Sequence, residues 1–280
     1  MSSSLAVEEQ DPEKSLPTIF CVMGEDLYSH LDYHLGSVMP LVGMYDVREL
    51  SWIASFRRSG EKPSGFSIEN IALLYLERIQ KADPRGPYVL GGFSAGGAIA
   101  FEVARKLRAQ GKEVTLVVLF DTVALGSLPT MTLTQRLAQR WMNFKRYGVQ
   151  NLKIKLKESQ GRLINKLRVE TSKLARSSKV NDKRRELDES REQFFREALL
   201  SYKPAPYEGD VLLLLARNAF RPAGFVVDKS LGWENFVKGN LTICQLPGDH
   251  VDVLQEPNVC IVAETIIQQT KRAISQQLST

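Results

Sequence analysis

The sequence predicts an α/β fold in which a mostly parallel central sheet is flanked by helices and carries an inserted helical lid. Aliphatic and β-branched residues fill three runs almost without interruption, at 114–120, 211–215 and 241–246, as is typical of strands covered on both faces. Elsewhere apolar residues recur at helical spacing, for example over residues 68–79. This alternation of strands and helices indicates a parallel sheet with right-handed crossovers.

Length and composition restrict the class further. A chain of 280 residues with 43% hydrophobic and 25% charged residues is ordinary for a globular protein, which excludes a wholly disordered or fibrous one. No apolar run reaches the roughly 18–20 residues that cross a bilayer. Residues 1–16 lack both the basic start and the apolar segment of a signal peptide. We therefore predict a disordered tail or linker at 1–16, one folded domain at 17–280, a cytoplasmic location and no membrane partner.

Four elements are predicted in the first half of the chain. Residues 18–22 are apolar and bounded by proline and glycine, which indicates a short buried strand. Ser67 can cap a helix, and that helix must end near residues 83–87, where two prolines stand. A strand at 88–90 then leads into an Ala-rich helix that ends near Gly111.

The second half contains the predicted lid and the last strands. After the strand at 114–120, residues 125–202 show helical spacing but no buried-strand pattern. We predict that these helices lie over the carboxyl edge of the sheet, where α/β folds bind ligands. The strands at 211–215 and 241–246 follow, and an amphipathic helix from about Asn258 completes the domain.

Charge is distributed unevenly along the chain. The net charge is +5, yet residues 131–185 hold 16 Lys and Arg against three acids, which is 16 − 3 = +13 and leaves 5 − 13 = −8 for the rest. A basic segment on an acidic body does not favour a protein that binds nucleic acid as a whole.

The cysteines predict no disulfide framework. Cys21, Cys244 and Cys260 are an odd number, have no CxxC spacing and lie among aliphatic residues. This pattern is typical of small buried apolar side chains in a reducing compartment.

One motif predicts a catalytic serine. The segment Gly92-Phe93-Ser94-Ala95-Gly96 matches G-x-S-x-G and stands between a predicted strand and a predicted helix. In that context the motif is a nucleophile elbow, which exposes the serine on a sharp strand-to-helix turn as in α/β-hydrolases. Only glycines two positions before and after the serine let the chains of the turn approach closely.

The serine needs a base, and chain order selects one of the three histidines. In the order Ser…Asp…His, His30 and His34 come too early, which leaves His250, directly after the last predicted strand. His30 and His34 have the i, i+4 spacing of metal ligands on a helix, but no HExxH pattern or third ligand accompanies them. We therefore predict no metal, and no phosphate or dinucleotide motif predicts a cofactor.

The remaining site residues are an acid and two oxyanion donors. Asp121 follows the buried strand 114–120 and is the favoured acid. The alternative is Asp228 or a neighbour within residues 217–228, because many hydrolases carry the acid one strand later. The predicted oxyanion donors are the backbone N–H groups of Ala95, after the serine, and Gly24, in the turn after the first strand.

Five segments of the chain share their pattern with one family. They are residues 86–104 around the elbow, 107–114, 119–122, 207–211 and 246–250. Together they resemble the thioesterase domains that end nonribosomal peptide and polyketide synthetases, and the resemblance covers nearly the whole chain from Pro17. The first loop departs from the family, because Met23-Gly24-Glu25 replaces the usual His-Pro followed by small residues.

The resemblance implies a serine thioesterase with Ser94, Asp121 and His250 as its triad and no cofactor. An acyl or peptidyl chain would arrive on the phosphopantetheine arm of a carrier protein or upstream synthetase module. It would pass to Ser94 and leave by hydrolysis or macrocyclisation. The basic segment 131–185 would then guide docking to an acidic carrier, or it is simply a solvated helix face.

Three alternatives stay open at this point. A standalone proofreading thioesterase would share the whole pattern. A general carboxylesterase would share the fold and triad but prefer oxygen esters. A binding module without activity would need a missing triad residue, and none is missing.

Overall fold

In the computed structural model, residues 16–59, 61, 63–135, 193–218, 222 and 224–279 are described. Within them, six strands form one sheet in the order β2-β1-β3-β4-β5-β6, and each neighbouring pair is parallel. The strands are β1 (Ile19–Val22), β2 (Leu41–Met44), β3 (Tyr88–Phe93), β4 (Val114–Phe120), β5 (Val211–Ala216) and β6 (Leu241–Leu246). The predicted fold class is confirmed.

Helices cover both faces of the sheet. They are α1 (Ser29–Leu35), α2 (Val47–Ser59), α3 (Ile68–Ala82), α4 (Ala95–Ala109) and α5 (Asn258–Gln277). Strand side chains alternate between two hydrophobic clusters, one with α2, α3 and α4 on one face and one with α1 and α5 on the other. The central strands β3 and β4 are buried along almost their whole length, so the backbone is held rigidly at the points where the next residues begin.

The local signals in the sequence act as expected at several boundaries. The Ser67 side chain accepts a hydrogen bond from the Asn70 N–H at 3.2 Å and caps α3. Gly111 takes a φ of +74° just after α4, a conformation that disfavours other residues. The bounds of β4 and β6 are those that the sequence predicts.

Three elements in the first part of the chain have no counterpart in the sequence prediction. They are α1, β2 and α2. Strand β2 is only four residues long, lies at the edge of the sheet, and has one buried residue, Met44. Because it is this short and Gly43 interrupts it, it lacks the continuous apolar run by which the other strands were recognised.

The cysteine prediction needs a correction. All three cysteines are free, but only Cys21 is buried, whereas Cys244 is partly buried and Cys260 is exposed. Cys260 lies on α5, and its position faces away from the buried stripe formed by Val259, Val262 and Ala263. Flanking aliphatic residues therefore misled the prediction, because on a helix the neighbours at i±1 do not share a face.

Two predicted segments lie largely outside the described residues. Of the tail at 1–16, only Leu16 is described, and its N–H donates to the Val38 carbonyl at 2.9 Å. Of the lid at 125–202, residues 136–192 lie outside the description, as does nearly all of the basic segment.

The carboxyl-terminal end of the predicted lid region is anchored to the rest of the domain. Residues 193–201 are helical. Directly after them, the Tyr202 hydroxyl donates to buried Glu102 of α4 at 3.0 Å.

None of the described helices is long and apolar enough to cross a membrane.

Candidate active site

Three neighbouring strands of the sheet end in residues with a strained backbone. Met23 follows β1 with φ +65°, Ser94 follows β3 with φ +55°, and Asp121 follows β4 with φ +45°. Among the described residues other than glycine, only Leu231 also has a positive φ. Such conformations cost about 1–3 kcal/mol each and persist only where the surroundings fix them, most often at functional sites. The strain therefore marks the carboxyl edge of β1, β3 and β4 as the candidate site.

Ser94 occupies a strand-to-helix turn of the predicted kind. It precedes α4 with φ +55° and ψ −118°, and its N–H donates to the Phe120 carbonyl at 2.9 Å. A Cβ atom at Gly92 would lie 2.2 Å from the backbone of Gly96, so the motif glycines are required by the close approach of the two backbone segments. The side chain of Ser94 stands at the amino end of α4, where the peptide dipoles favour negative charge.

Asp121 and His250 are in contact. The Nδ1 atom of His250 lies 2.6 Å from Oδ2 of Asp121, although the two residues are 129 positions apart. The Asp121 side chain is 3% exposed and that of His250 is 38% exposed. The other carboxylate oxygen of Asp121 accepts the Ala216 N–H at 3.2 Å. A buried carboxylate therefore fixes the imidazole and leaves its second nitrogen available for another partner.

His250 also contacts the elbow. Its ring lies against the ring of Phe93, with centroids 4.4 Å apart and planes inclined by 32°. Phe93 immediately precedes Ser94, and the Phe120 carbonyl that accepts the Ser94 N–H immediately precedes Asp121. The structure thus brings the turn with Ser94, the acid and the histidine to one place.

The loop that carries His250 is tied down on both sides. The side-chain amide of Asn258 donates to the carbonyls of Pro247, at 2.7 Å, and Asp252, at 3.0 Å. The Asp249 N–H donates to the Asp252 carboxylate at 2.7 Å. Because Asn258 begins α5, the helix and the histidine loop form one hydrogen-bonded unit.

The alternative acid, Asp228, has a different role in the structure. Its Oδ1 atom accepts hydrogen bonds from the N–H and hydroxyl of Ser230, at 2.7 and 2.6 Å, and from the Gly232 N–H at 3.1 Å. These contacts lower the pKa of Asp228 against the opposing effect of burial, which is the larger single influence. Asp228 therefore organises its own loop, whereas Asp121 contacts His250.

The two predicted oxyanion donors differ in whether their backbone N–H groups are already hydrogen-bonded. Ala95 is the first residue of α4, so its N–H has no acceptor within the helix. The Gly24 N–H instead donates to the Met44 carbonyl at 2.9 Å, across an antiparallel bridge. Because this N–H is already bound, the structure does not support Gly24 as the second oxyanion donor.

Tyr28 is a candidate functional residue that the sequence analysis missed. Its side chain is fully buried, and its hydroxyl donates to the Val22 carbonyl at 2.8 Å while accepting the Phe93 N–H at 3.1 Å. Burial raises the pKa of Tyr28 well above its ordinary value, so the hydroxyl stays protonated. One hydroxyl thus links the strand end before Met23 to the strand end before Ser94. No spacing or motif in the sequence indicates this contact.

The other two histidines lie outside this site. His30 is exposed on α1, and His34 contacts Glu256 at 2.6 Å. Within the described ranges, no group of three or more His, Cys, Asp or Glu residues is arranged to hold a metal ion.

Comparison with known families gives one match over most of the chain. Residues 44–270 match the model of the thioesterase domain. A non-reducing polyketide synthase of Cladonia grayi is 32% identical over 125 residues, which are 43% of this chain and 6% of that protein. The chain spans only 3–6% of the length of the first curated relatives that it matches.

Solved structures show the same fold. The NocB thioesterase domain, in covalent complex with a fluorophosphonate nocardicin G analog, is 23% identical with a TM-score of 0.55, and the match covers 92% of this chain and 96% of that one. A four-domain nonribosomal peptide synthetase, AB3403, is 27% identical with a TM-score of 0.56 over 90% of this chain and 19% of that one. The predicted resemblance to synthetase thioesterase domains is confirmed.

Proposed function

Because the chain belongs to the thioesterase domain family, we propose that it releases an acyl or peptidyl chain from the phosphopantetheine thioester of a carrier protein. The observation that carries this proposal is the 2.6 Å contact between Asp121 and His250 beside the strained turn of Ser94. A histidine held by a buried carboxylate next to an elbow serine suits acyl transfer through an acyl-serine intermediate. Membership of a thioesterase family favours this function over that of a general carboxylesterase.

The first half-reaction acylates Ser94. With Nδ1 of His250 bound to Asp121, Nε2 takes the hydroxyl proton of Ser94 as its oxygen attacks the thioester carbonyl. Asp121 keeps the imidazole oriented and stabilises the imidazolium. The oxyanion of the tetrahedral intermediate is stabilised by the Ala95 N–H and the amino end of α4. The intermediate then collapses, and His250 returns the proton to the departing pantetheine sulfur.

The second half-reaction removes the acyl group. Water, or a hydroxyl or amine of the acyl chain itself, attacks the ester, and His250 takes the proton of that nucleophile. The bond between the acyl group and the Ser94 oxygen then breaks, and His250 returns the proton to that oxygen. Attack by water gives a free acid, and internal attack gives a ring. The lid at 125–202 lies in the chain between β4 and β5, and we propose that it selects between these outcomes by controlling access of water.

The proposed partner is an acyl or peptidyl carrier protein, either separate or part of an upstream module. Two findings support it: the polyketide synthase relative is far longer than this chain, and AB3403 is a four-domain synthetase. The basic segment 131–185 would meet an acidic carrier. The mechanism uses no cofactor apart from the pantetheine arm of the substrate. We propose the cytoplasm as its location, where three free cysteines stay reduced.

The first experiment compares the natural protein with Ser94→Ala on a panel of acyl-pantetheine thioesters. Free thiol is measured by absorbance and the acyl-protein adduct by intact mass. Ser67→Ala is the matched control, since Ser67 caps α3 and lies outside the site. We expect thiol release and the adduct to disappear in Ser94→Ala, with a loss in kcat of about 10⁶, and to persist in Ser67→Ala.

The outcomes separate the parts of the proposal. Turnover that survives in Ser94→Ala would show that Ser94 is not the nucleophile. Hydrolysis of oxygen esters with no turnover of thioesters, whether on pantetheine or on a carrier, would favour the carboxylesterase. A preference in kcat/KM for carrier-bound over pantetheine-bound substrate would support the carrier as partner.

A further inference from the structure

A second nucleophile, base and acid lie together on the surface formed by α1 and the start of α5. The Sγ atom of Cys260 lies 3.7 Å from Nδ1 of His34. The Nε2 atom of the same ring lies 2.6 Å from Oε1 of Glu256. The His34 side chain is 21% exposed and that of Glu256 is 56% exposed, and Cys260 is exposed. We call these three residues the thiol cluster.

The geometry of the thiol cluster assigns a role to each member. In the neutral tautomer in which Nε2–H of His34 donates to Glu256, Nδ1 is the acceptor that faces the sulfur, so it can accept the proton of the Cys260 thiol. This is the same division of roles as between Asp121 and His250, with the two ring nitrogens exchanged. A nucleophile within hydrogen-bond reach of a base that a third group orients is the signature of an activated nucleophile.

The other two cysteines lack these features. Cys21 is fully buried, and burial, with the negative charge of Asp32, raises the pKa of its thiol well above the ordinary value. Cys244 lies within β6 and is only partly exposed. The three thiols therefore differ in their exposure to solvent, and only Cys260 combines exposure with a contact to an imidazole.

We propose that the thiol cluster is a modification site at which Cys260 undergoes thiol–disulfide exchange with small disulfides such as oxidised glutathione. His34 takes the thiol proton, and the Cys260 sulfur attacks one sulfur of the disulfide. The disulfide bond of the reagent breaks as the new Cys260–sulfur bond forms. The leaving thiolate takes the proton from His34, so that the disulfide is the oxidant and one glutathione thiol is the reduced product.

The test measures the rate of mixed-disulfide formation at each cysteine. The reduced protein is mixed with excess oxidised glutathione, quenched with acid over time, and analysed by intact mass and peptide mapping. His34→Gln removes the base, and Glu256→Gln removes the charge that orients it. His30→Gln is the matched control, one turn earlier on α1 and exposed. Circular dichroism checks that each variant is folded.

We expect Cys260 to react first in the natural protein and in His30→Gln. His34→Gln should slow its reaction by roughly 10²-fold, the lower end of what a general base contributes, and Glu256→Gln should slow it less. Equal rates in His34→Gln and His30→Gln would overturn the proposal, as would reaction of Cys244 at the same rate as Cys260. If His34→Gln is unfolded, Glu256→Gln decides the matter, and an unchanged rate there overturns the proposal.

Discussion

Removal of one hydroxyl, in Tyr28→Phe, is expected to lower the turnover of the enzyme although Tyr28 itself takes no part in the chemistry. The hydroxyl joins the Val22 carbonyl, at 2.8 Å, to the Phe93 N–H, at 3.1 Å. Met23 and Ser94, the strained residues of the first and third strands, come directly after these two groups. The ring itself packs near Phe120, with centroids 6.0 Å apart, and the substitution leaves that contact in place.

The magnitude follows from the two contacts. Each buried backbone group left without a partner costs about 1–3 kcal/mol, so for the two groups we expect the free energy of unfolding to fall by roughly 2–6 kcal/mol. Without the bridging hydroxyl, the end of β1 can also move relative to the turn that carries Ser94. Because a displacement of about 1 Å can cost 10² in rate, we expect kcat to fall by about 10- to 100-fold with little change in KM.

Tyr88→Phe is the matched control. Tyr88 is also buried and also uses its hydroxyl to bind a backbone carbonyl, that of Asp83 at 2.8 Å. It lies at the opposite end of β3 from Ser94. This variant should lose stability, by about 1–2 kcal/mol, but should keep kcat.

The assay follows thiol release from an acyl-pantetheine thioester at a temperature where both variants are fully folded. Urea unfolding gives the free energy of each. If Tyr28→Phe keeps the natural kcat, or if both variants lose the same factor, the Tyr28 hydroxyl stabilises the fold without positioning the site.

Three further predictions test other contacts. Asp121→Asn should lower kcat by about 10⁴, because the imidazole takes the wrong tautomer, whereas Asp228→Asn should change it little; steady-state kinetics showing the reverse order would reassign the acid. Gly97→Ala places a Cβ atom 1.9 Å from the Thr122 hydroxyl, so we expect the free energy of unfolding to fall by about 1–3 kcal/mol. Thr122→Ala in the same chain should restore part of that loss, and strict additivity in urea unfolding would contradict the contact. The side-chain hydrogen bond from Arg48 lowers the pKa of Asp46, although burial raises it, so Asp46→Asn should lower the free energy of unfolding at neutral pH. The difference from the natural protein should shrink as pH falls through the lowered pKa of Asp46, and a pH-independent difference in unfolding free energy would refute the linkage.

The sequence predicted best those elements whose apolar pattern is long and uninterrupted. Strands β4 and β6 and helix α5 have the predicted bounds or starting residue because continuous apolar runs and a helical stripe define them. Strand β2 could not be found in this way, since Gly43 interrupts it and three of its four residues are not fully buried. Its position depends on pairing with β1, which is a long-range contact.

The site could be predicted residue by residue only where chain order and strand ends constrained it. The elbow required Ser94, and the end of β4 favoured Asp121, which the structure places against His250. Gly24 was predicted from the turn alone, and its N–H proved to be bound to Met44 in a strand distant in sequence. The contacts of the Tyr28 hydroxyl and the contact of Cys260 with His34 depend on tertiary packing. No local sequence pattern predicts such packing.

The placement of the candidate site on the sheet agrees with what each proposed catalytic group requires. The proposed nucleophile, Ser94, and the proposed acid, Asp121, have strained backbones, and they follow β3 and β4, which are paired on both sides and can hold such strain. A general base has a different requirement, because it must exchange protons with bound substrate and with water, and so needs partial exposure. His250 meets this requirement by following β6, an edge strand with mostly half-buried residues. The hydrogen bonds of Asn258 and Asp252 then order the loop that carries His250, which the edge strand alone would not do.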